Sequence, residues 1–238
     1  MKRRLAIPRA IPRLALVDLD GTLVDTLPDI AFCVDAMLTE LHLPTVGPER
    51  VREWVGNGIE VLVRRALAGG LDKEADAGRL ARALRIFRQL YAQNTSSRSR
   101  VYDGVPAGLE FLQAAGVELA CVTNKASVFT HKLLAELELD RHFSLVISGD
   151  TLPRRKPDPM PLLHAARHFA IAPENALLIG DSANDVKAAR AAGFGIICVT
   201  YGYNHGDDIR SNNPDALIDS LAELPELFVL PGQASAAS

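Results

Sequence analysis

Five short apolar runs recur along this chain, at residues 14–17, 117–122, 145–147, 176–179 and 196–199. Segments with a helical pattern separate the later ones, at 107–115, 127–137, 160–169 and 184–192. Apart from Glu118 in the second, each run is apolar without alternation, so each reads as a strand covered on both faces. Strands parted by helices join through βαβ crossovers. The expected fold class is therefore α/β, a parallel Rossmann-like sheet with helices on both faces. Gly116, Gly193 and Gly195 stand where helix gives way to strand, the usual place for a C-capping glycine.

From residue 28 to residue 96 this rhythm stops, and apolar residues recur only at helical spacing. Ile30, Val34, Met37, Leu38 and Leu41 outline one helix ended by Pro44, and residues 58–68 a second. Leu80, Leu84, Phe87 and Tyr91 mark a longer helix over 72–94. The expected organisation is a discontinuous core over 14–27 and 97–228, interrupted by a helical cap over 28–96 that serves as a lid. Ser96-Ser97-Arg98-Ser99 reads as the return linker. Residues 1–13 carry Lys2, Arg3, Arg4, Arg9 and Arg13 but are broken by Pro8 and Pro12. They lack the apolar centre of a secretory signal and are expected to form a basic, solvated arm. The small-residue stretch 229–238 is expected to be a flexible tail.

The first run ends in Asp18-Leu19-Asp20-Gly21-Thr22. In an extended chain residues i and i+2 point the same way, so Asp18 and Asp20 face one pocket. Two carboxylates so placed call for a cation or a shared proton. Ligands of open parallel sheets bind beyond the carboxyl ends of the strands. That rule gathers Thr123, Asn124 and Lys125 after the second run, Lys156 before the helix at 160–169, and Asp181, Ser182, Asn184 and Asp185 after the fourth run. Singly, each has an ordinary explanation as a helix cap, a turn residue or a solvated charge. Jointly, each behind a separate strand, they suit a divalent cation and a phosphate together.

The ordered motifs Asp18-Leu19-Asp20-Gly21-Thr22-Leu23, Thr123-Asn124, Lys156-Pro157 and Gly180-Asp181-Ser182-Ala183-Asn184-Asp185 resemble the haloacid dehalogenase superfamily, in its phosphatase branch. Val51-Arg52-Glu53-Trp54-Val55-Gly56-Asn57-Gly58 and Tyr201-Gly202-Tyr203-Asn204 are similar to its phosphoglycolate phosphatase subfamily. The resemblance implies a Mg²⁺-dependent phosphomonoester hydrolase that works through an aspartyl phosphate, with 2-phosphoglycolate as substrate. It implies Asp18 as nucleophile and Asp20 as acid, then base. It also implies a metal held by the Asp18 carboxylate, the Asp20 main-chain carbonyl and Asp181, and phosphoryl oxygens held by Thr123, the Asn124 backbone and Lys156. Asp185 would orient a water ligand or Lys156. An acid at position 20 suits release of an alkoxide, which needs a proton, and excludes dehalogenation, in which halide leaves without one.

Gly56, Asn57 and Gly58 precede a helix and are expected to bring backbone N–H groups onto the far end of a small anionic substrate. Arg64 and Arg65 are candidate helpers for a carboxylate. Three alternatives stay open: phosphatase action on a sugar phosphate or nucleoside monophosphate, a phosphomutase reaction, and a binding module without turnover.

A formal charge of −3 offers no basic surface of the kind nucleic acid requires. No apolar stretch approaches the roughly 20 residues of a membrane span. Cys33, Cys121 and Cys198 are far apart and form no Cys-x-x-Cys pair, a pattern that suits a cytoplasmic chain. His164 and His168 have zinc-pair spacing, but Ala165 replaces the acid of a zinc motif, so no zinc is expected. His205 is expected at the surface and Trp54 in packing. The expected partner is a small phosphate ester, with the chain a monomer or homodimer.

Overall fold

A computed structural model describes residues 10–71 and 76–228. The expected arm over 1–13, apart from its last four residues, lies outside the described residues, as do the tail 229–238 and residues 72–75 at the start of the third expected cap helix.

The sheet is built outward from β1 (Leu14–Val17), whose four residues are all fully buried. β1 pairs in parallel with β4 (Glu118–Val122) on one side and β6 (Ala176–Gly180) on the other. β5 (Leu145–Ile147) extends the first side, and β7 (Gly195–Val199) and β8 (Ala216–Ile218) the second. The order is β5-β4-β1-β6-β7-β8, with every pair parallel. Successive side chains of β1 go to opposite faces. Ala15 and Val17 pack with α5 (Val105–Ala114) and α6 (Ser127–Glu136). Leu14 and Leu16 pack with α7 (Met160–His168) and α8 (Ala183–Ala192). Cutting Leu16 to Ala at the centre of this layer is expected to cost about 2–5 kcal/mol.

Gly116 and Gly193, both at φ +76°, take the capping positions expected of them. Gly195 does not, because it is the first residue of β7 and pairs there with Leu177.

Among the described residues, four helices lie between Asp25 and Arg100: α1 (Leu27–Glu40), α2 (Gly47–Trp54), α3 (Ile59–Ala68) and α4 (Ala77–Gln93). They share a core of their own, in which Val34, Met37, Trp54, Val63, Phe87 and Tyr91 are buried with Phe129 and Tyr203 from the α/β part. The chain enters this helical unit through β2 (Val24–Asp25) and leaves through β3 (Arg100–Val101), and these pair antiparallel. Asp29, buried in the first turn of α1, accepts from the N–H groups of Arg98 and Ser99, both at 2.8 Å, and from Ser99 Oγ at 2.7 Å. One carboxylate thus stitches the entry of the unit to its exit.

Candidate active site

The carboxyl ends of the three central strands, β4, β1 and β6, lie side by side, so the residues that follow them meet. Asp18, Thr123, Asn124, Lys156, Asp181 and Asp185 all line one small cavity of about 20 Å³, together with Asp20 and Gly56. Gly21 makes the convergence possible. Its φ is +87°, and a Cβ there would lie 2.4 Å from Asp181 Oδ2. No side chain fits between the turn after β1 and the turn after β6.

Lys156 is buried at the centre. Its Nζ donates to the Val122 carbonyl at 2.7 Å and to Asp185 Oδ1 at 2.7 Å, and lies 2.9 Å from Asp18 Oδ1. The last contact lacks hydrogen-bond direction, and Asp18 Oδ1 is left as a buried acceptor without a donor. Asp185 is fully committed. Its second oxygen accepts from Ser182 N at 3.1 Å, Ser182 Oγ at 2.7 Å and, more weakly, Asp181 N at 3.3 Å, closing a capping box on α8. Asp181 accepts from Thr22 Oγ1 at 3.0 Å and from the Tyr203 N–H.

Ligand atoms of Asp18, Asp181 and Asp185 all lie within 4.8 Å of one another, the one such acidic cluster of three among the described residues. Three buried carboxylates around one ammonium leave an excess of negative charge. Burial, opposed by Lys156 and reinforced by Asp185, pushes the Asp18 carboxyl up to about 7. Burial and the charges of Asp18 and Asp185 drive Asp181 well above the usual carboxylate range. An orphaned acceptor and two carboxylates reluctant to ionise fit a hard divalent cation coordinated by oxygen.

Asp20 is engaged differently. Its Oδ1 accepts from Thr26 Oγ1 at 2.7 Å and from Lys125 Nζ at 2.9 Å. Lys125 Nζ also donates to Tyr91 Oη of α4 at 2.5 Å. Sequence reasoning placed Lys125 behind the second strand but gave Tyr91 only to the apolar face of its helix. The hydroxyl leaves no mark in a pattern Tyr91 shares with Phe87.

The glycine loop behaves in two ways. The Gly56 carbonyl is held by Asn124 Nδ2 at 2.9 Å and Asn184 Nδ2 at 3.3 Å, which docks the helical unit on the sheet. Gly56 and Gly58 line a second cavity beside Asp20. Asn57 instead accepts from Arg65 Nη1 at 3.0 Å. Arg65 also holds the Trp54 carbonyl, and Arg64 pairs with Glu60 at the surface, so neither arginine lines either cavity.

Tyr203 explains the second subfamily stretch physically. Its N–H holds Asp181 while its hydroxyl accepts from Leu27 N at the start of α1, and Arg52 of α2 lies 5.0 Å over its ring. His205 is not a plain surface residue, since its Nδ1 meets the Glu53 carbonyl of α2 at 2.8 Å. Trp54 is buried packing. Burial raises the buried thiols of Cys121 and Cys198, which leaves both inert. Among the described residues no helix is long and apolar enough to cross a membrane.

Comparison with known proteins agrees with this geometry. The family described as haloacid dehalogenase-like hydrolase matches residues 15–199. A phosphoglycolate phosphatase of Nitrosococcus oceani is 56% identical over 217 residues, covering 91% of this chain and 96% of that protein. One of Nitrosospira multiformis is 48% identical over 213 residues, covering 90% and 94%. Among solved structures, a crystal structure described as a predicted phosphoglycolate phosphatase from Haemophilus somnus 129pt superposes with a TM-score of 0.87 at 35% identity, covering 93% of this chain and 99% of that one.

Proposed function

We propose that this chain, which belongs to the haloacid dehalogenase-like hydrolase family, hydrolyses 2-phosphoglycolate to glycolate and inorganic phosphate. The observation that carries this reading is the buried Asp18 carboxylate, ion-paired with Lys156 and clustered with Asp181 at the mouth of the sheet, with Asp20 beside it.

Asp18 attacks the phosphorus in line. Its oxygen forms the new bond as the bond to the glycolate oxygen breaks, and Asp20 gives that oxygen its proton. Asp20, now a carboxylate, takes a proton from water whose oxygen attacks the same phosphorus, and the bond to Asp18 breaks. Free Asp18 and inorganic phosphate result. Thr123, the Asn124 backbone and Lys156 hold the phosphoryl oxygens. Two of the three Lys156 protons are bound to Val122 and Asp185, so the poorly directed contact to Asp18 is the one it exchanges for phosphate. The Asp18 and Asp181 carboxylates and the Asp20 main-chain carbonyl would hold Mg²⁺. When bound, it supplies the positive charge that lets a carboxylate meet an anionic phosphoryl group. Asp185, with both oxygens already bonded, positions Lys156 rather than the metal.

The two cavities measure about 20 and 40 Å³, space for a few waters. We take the helical unit over 28–96 as a lid that is closed here and swings on the β2–β3 pair to admit substrate. Three buried free thiols suit a cytoplasmic setting.

Phosphate release from a panel of 2-phosphoglycolate, glucose 6-phosphate and AMP, with saturating Mg²⁺ and with EDTA, tests the reading. The highest kcat/KM is expected with 2-phosphoglycolate, and only with metal. Equal use of all three would overturn the substrate. Absence of release from every monoester would overturn the reaction.

A further inference from the structure

We propose that Lys125 recognises the carboxylate of the substrate, which rests on the substrate being 2-phosphoglycolate or another phosphate with a carboxylate two bonds from its ester oxygen. The cavity beside Asp20 is walled mainly by apolar side chains of the helical unit, among them Ile30, Leu62 and Phe87. A carboxylate placed against such walls without a cation is costly. Lys125 is the one cationic residue lining that cavity among the described residues. The rival cations are engaged or placed elsewhere. Lys156 is shared between Asp18, Asp185 and the Val122 carbonyl, and Arg65 is held by Trp54 and Asn57. Arg155 lies against Gly58 but does not line the cavity.

Lys125 is also in the right place and state. Its ammonium has three protons and, among the described residues, two acceptors, Asp20 Oδ1 and Tyr91 Oη, which leaves a third proton for a ligand. The Nζ is 2.9 Å from the acid that faces the ester oxygen, so a carboxylate two bonds beyond that oxygen comes within its reach. Tyr91 is fixed by its neighbours, with ring centroids 5.5 Å from Phe87 and 5.0 Å from Phe129, and the ammonium lies 4.8 Å from the Tyr91 ring centre. A bound carboxylate then shares Lys125 with Asp20. An ester without one leaves a buried N–H facing apolar walls. Selectivity thus resides in a residue of the α/β part whose position is fixed by the helical part.

The test compares 2-phosphoglycolate with ethyl phosphate, which has the same two carbons and a methyl in place of the carboxylate. In Lys125→Met the KM for 2-phosphoglycolate should rise at least about tenfold, the loss of one charge-assisted hydrogen bond. The ratio of kcat/KM for 2-phosphoglycolate to that for ethyl phosphate should fall by the same factor, whatever the loss through Asp20 that the two esters share. Retained preference in this variant, or a fall in kcat alone that is equal for both esters, would overturn the proposal and leave Lys125 acting only through Asp20. Loss of preference in Arg155→Met with retention in Lys125→Met would give the role to Arg155 instead. No preference in the wild type would overturn the substrate reading itself. Lys125→Arg serves if the methionine variant does not fold. It keeps the charge but moves it off its two partners, and should raise the KM for 2-phosphoglycolate more than that for ethyl phosphate. Equal effects on the two would again overturn the proposal.

Discussion

Replacing Asp18 by Asn should abolish turnover and yet stabilise the metal-free protein. The fold raises the Asp18 carboxyl from 3.8 to about 7, chiefly through burial. Each tenfold in proton affinity corresponds to about 1.4 kcal/mol, so holding Asp18 ionised in the fold costs about 4 kcal/mol at pH 8. The sign follows from proton counting. Between pH 4 and 7 the folded state binds more protons at this site than the unfolded chain, so this contribution to stability falls as pH rises through that window. Asparagine has the same shape and no charge, and removes the penalty. It also relieves Asp181, which the Asp18 charge disfavours.

The assay is urea unfolding in EDTA, followed by the fluorescence of Trp54, the single tryptophan. At pH 8 Asp18→Asn is expected to exceed the wild type by about 4 kcal/mol, and at pH 5 by less than about 2 kcal/mol. Saturating Mg²⁺ should narrow the gap at pH 8, because the wild type gains more from it. Turnover should fall by about 10⁴-fold or more, as for loss of other covalent nucleophiles. A variant no more stable than the wild type at pH 8, or an offset equal at both pH values, would refute the claim that the Asp18 charge is held against an energetic penalty.

In Asp20→Asn, 4-nitrophenyl phosphate should give a burst of one nitrophenolate per enzyme followed by slow turnover, because that leaving group needs no proton while the second step still needs a base. Stopped-flow absorbance reads this, and the absence of a burst would remove the two roles of Asp20. Gly58→Val places a Cβ 2.8 Å from Arg155 Nη1 at a φ of +85°. It should depress kcat/KM for 2-phosphoglycolate more than for 4-nitrophenyl phosphate, and equal falls would leave the loop no part in selectivity. Asp185→Asn breaks a buried pair with Lys156 and should cost about 3 kcal/mol in urea unfolding. Wild-type stability in that variant would mean that the Asp185 carboxylate does not anchor Lys156.

The central strands were legible because both faces are covered and the apolar runs are unbroken, as in residues 14–17 and 176–179. β8 escaped because Ala216–Ile218 is a three-residue edge strand with Leu217 half-buried. β2 and β3 have two residues each and exist only through pairing with one another. α2 buries only Val51 and Trp54, too few to show a helical period. At the site, Asp18, Thr123, Asn124, Lys156 and Asp181 could be gathered from sequence because each lies beyond a strand or opens the following helix, and topology alone brings them together. Tyr91 and Lys125 could not be paired that way. They are 34 residues apart, and their contact depends on how α4 settles on the sheet.

The antiparallel match of Val24 with Val101 and Asp25 with Arg100 has an evolutionary reading. Both crossings leave and rejoin the sheet side by side, so everything between them is topologically a loop. Such a segment can be lengthened, shortened or exchanged for one of another origin without rethreading a single strand. The chemistry at Asp18 could then be inherited unchanged while new substrates are acquired by grafting.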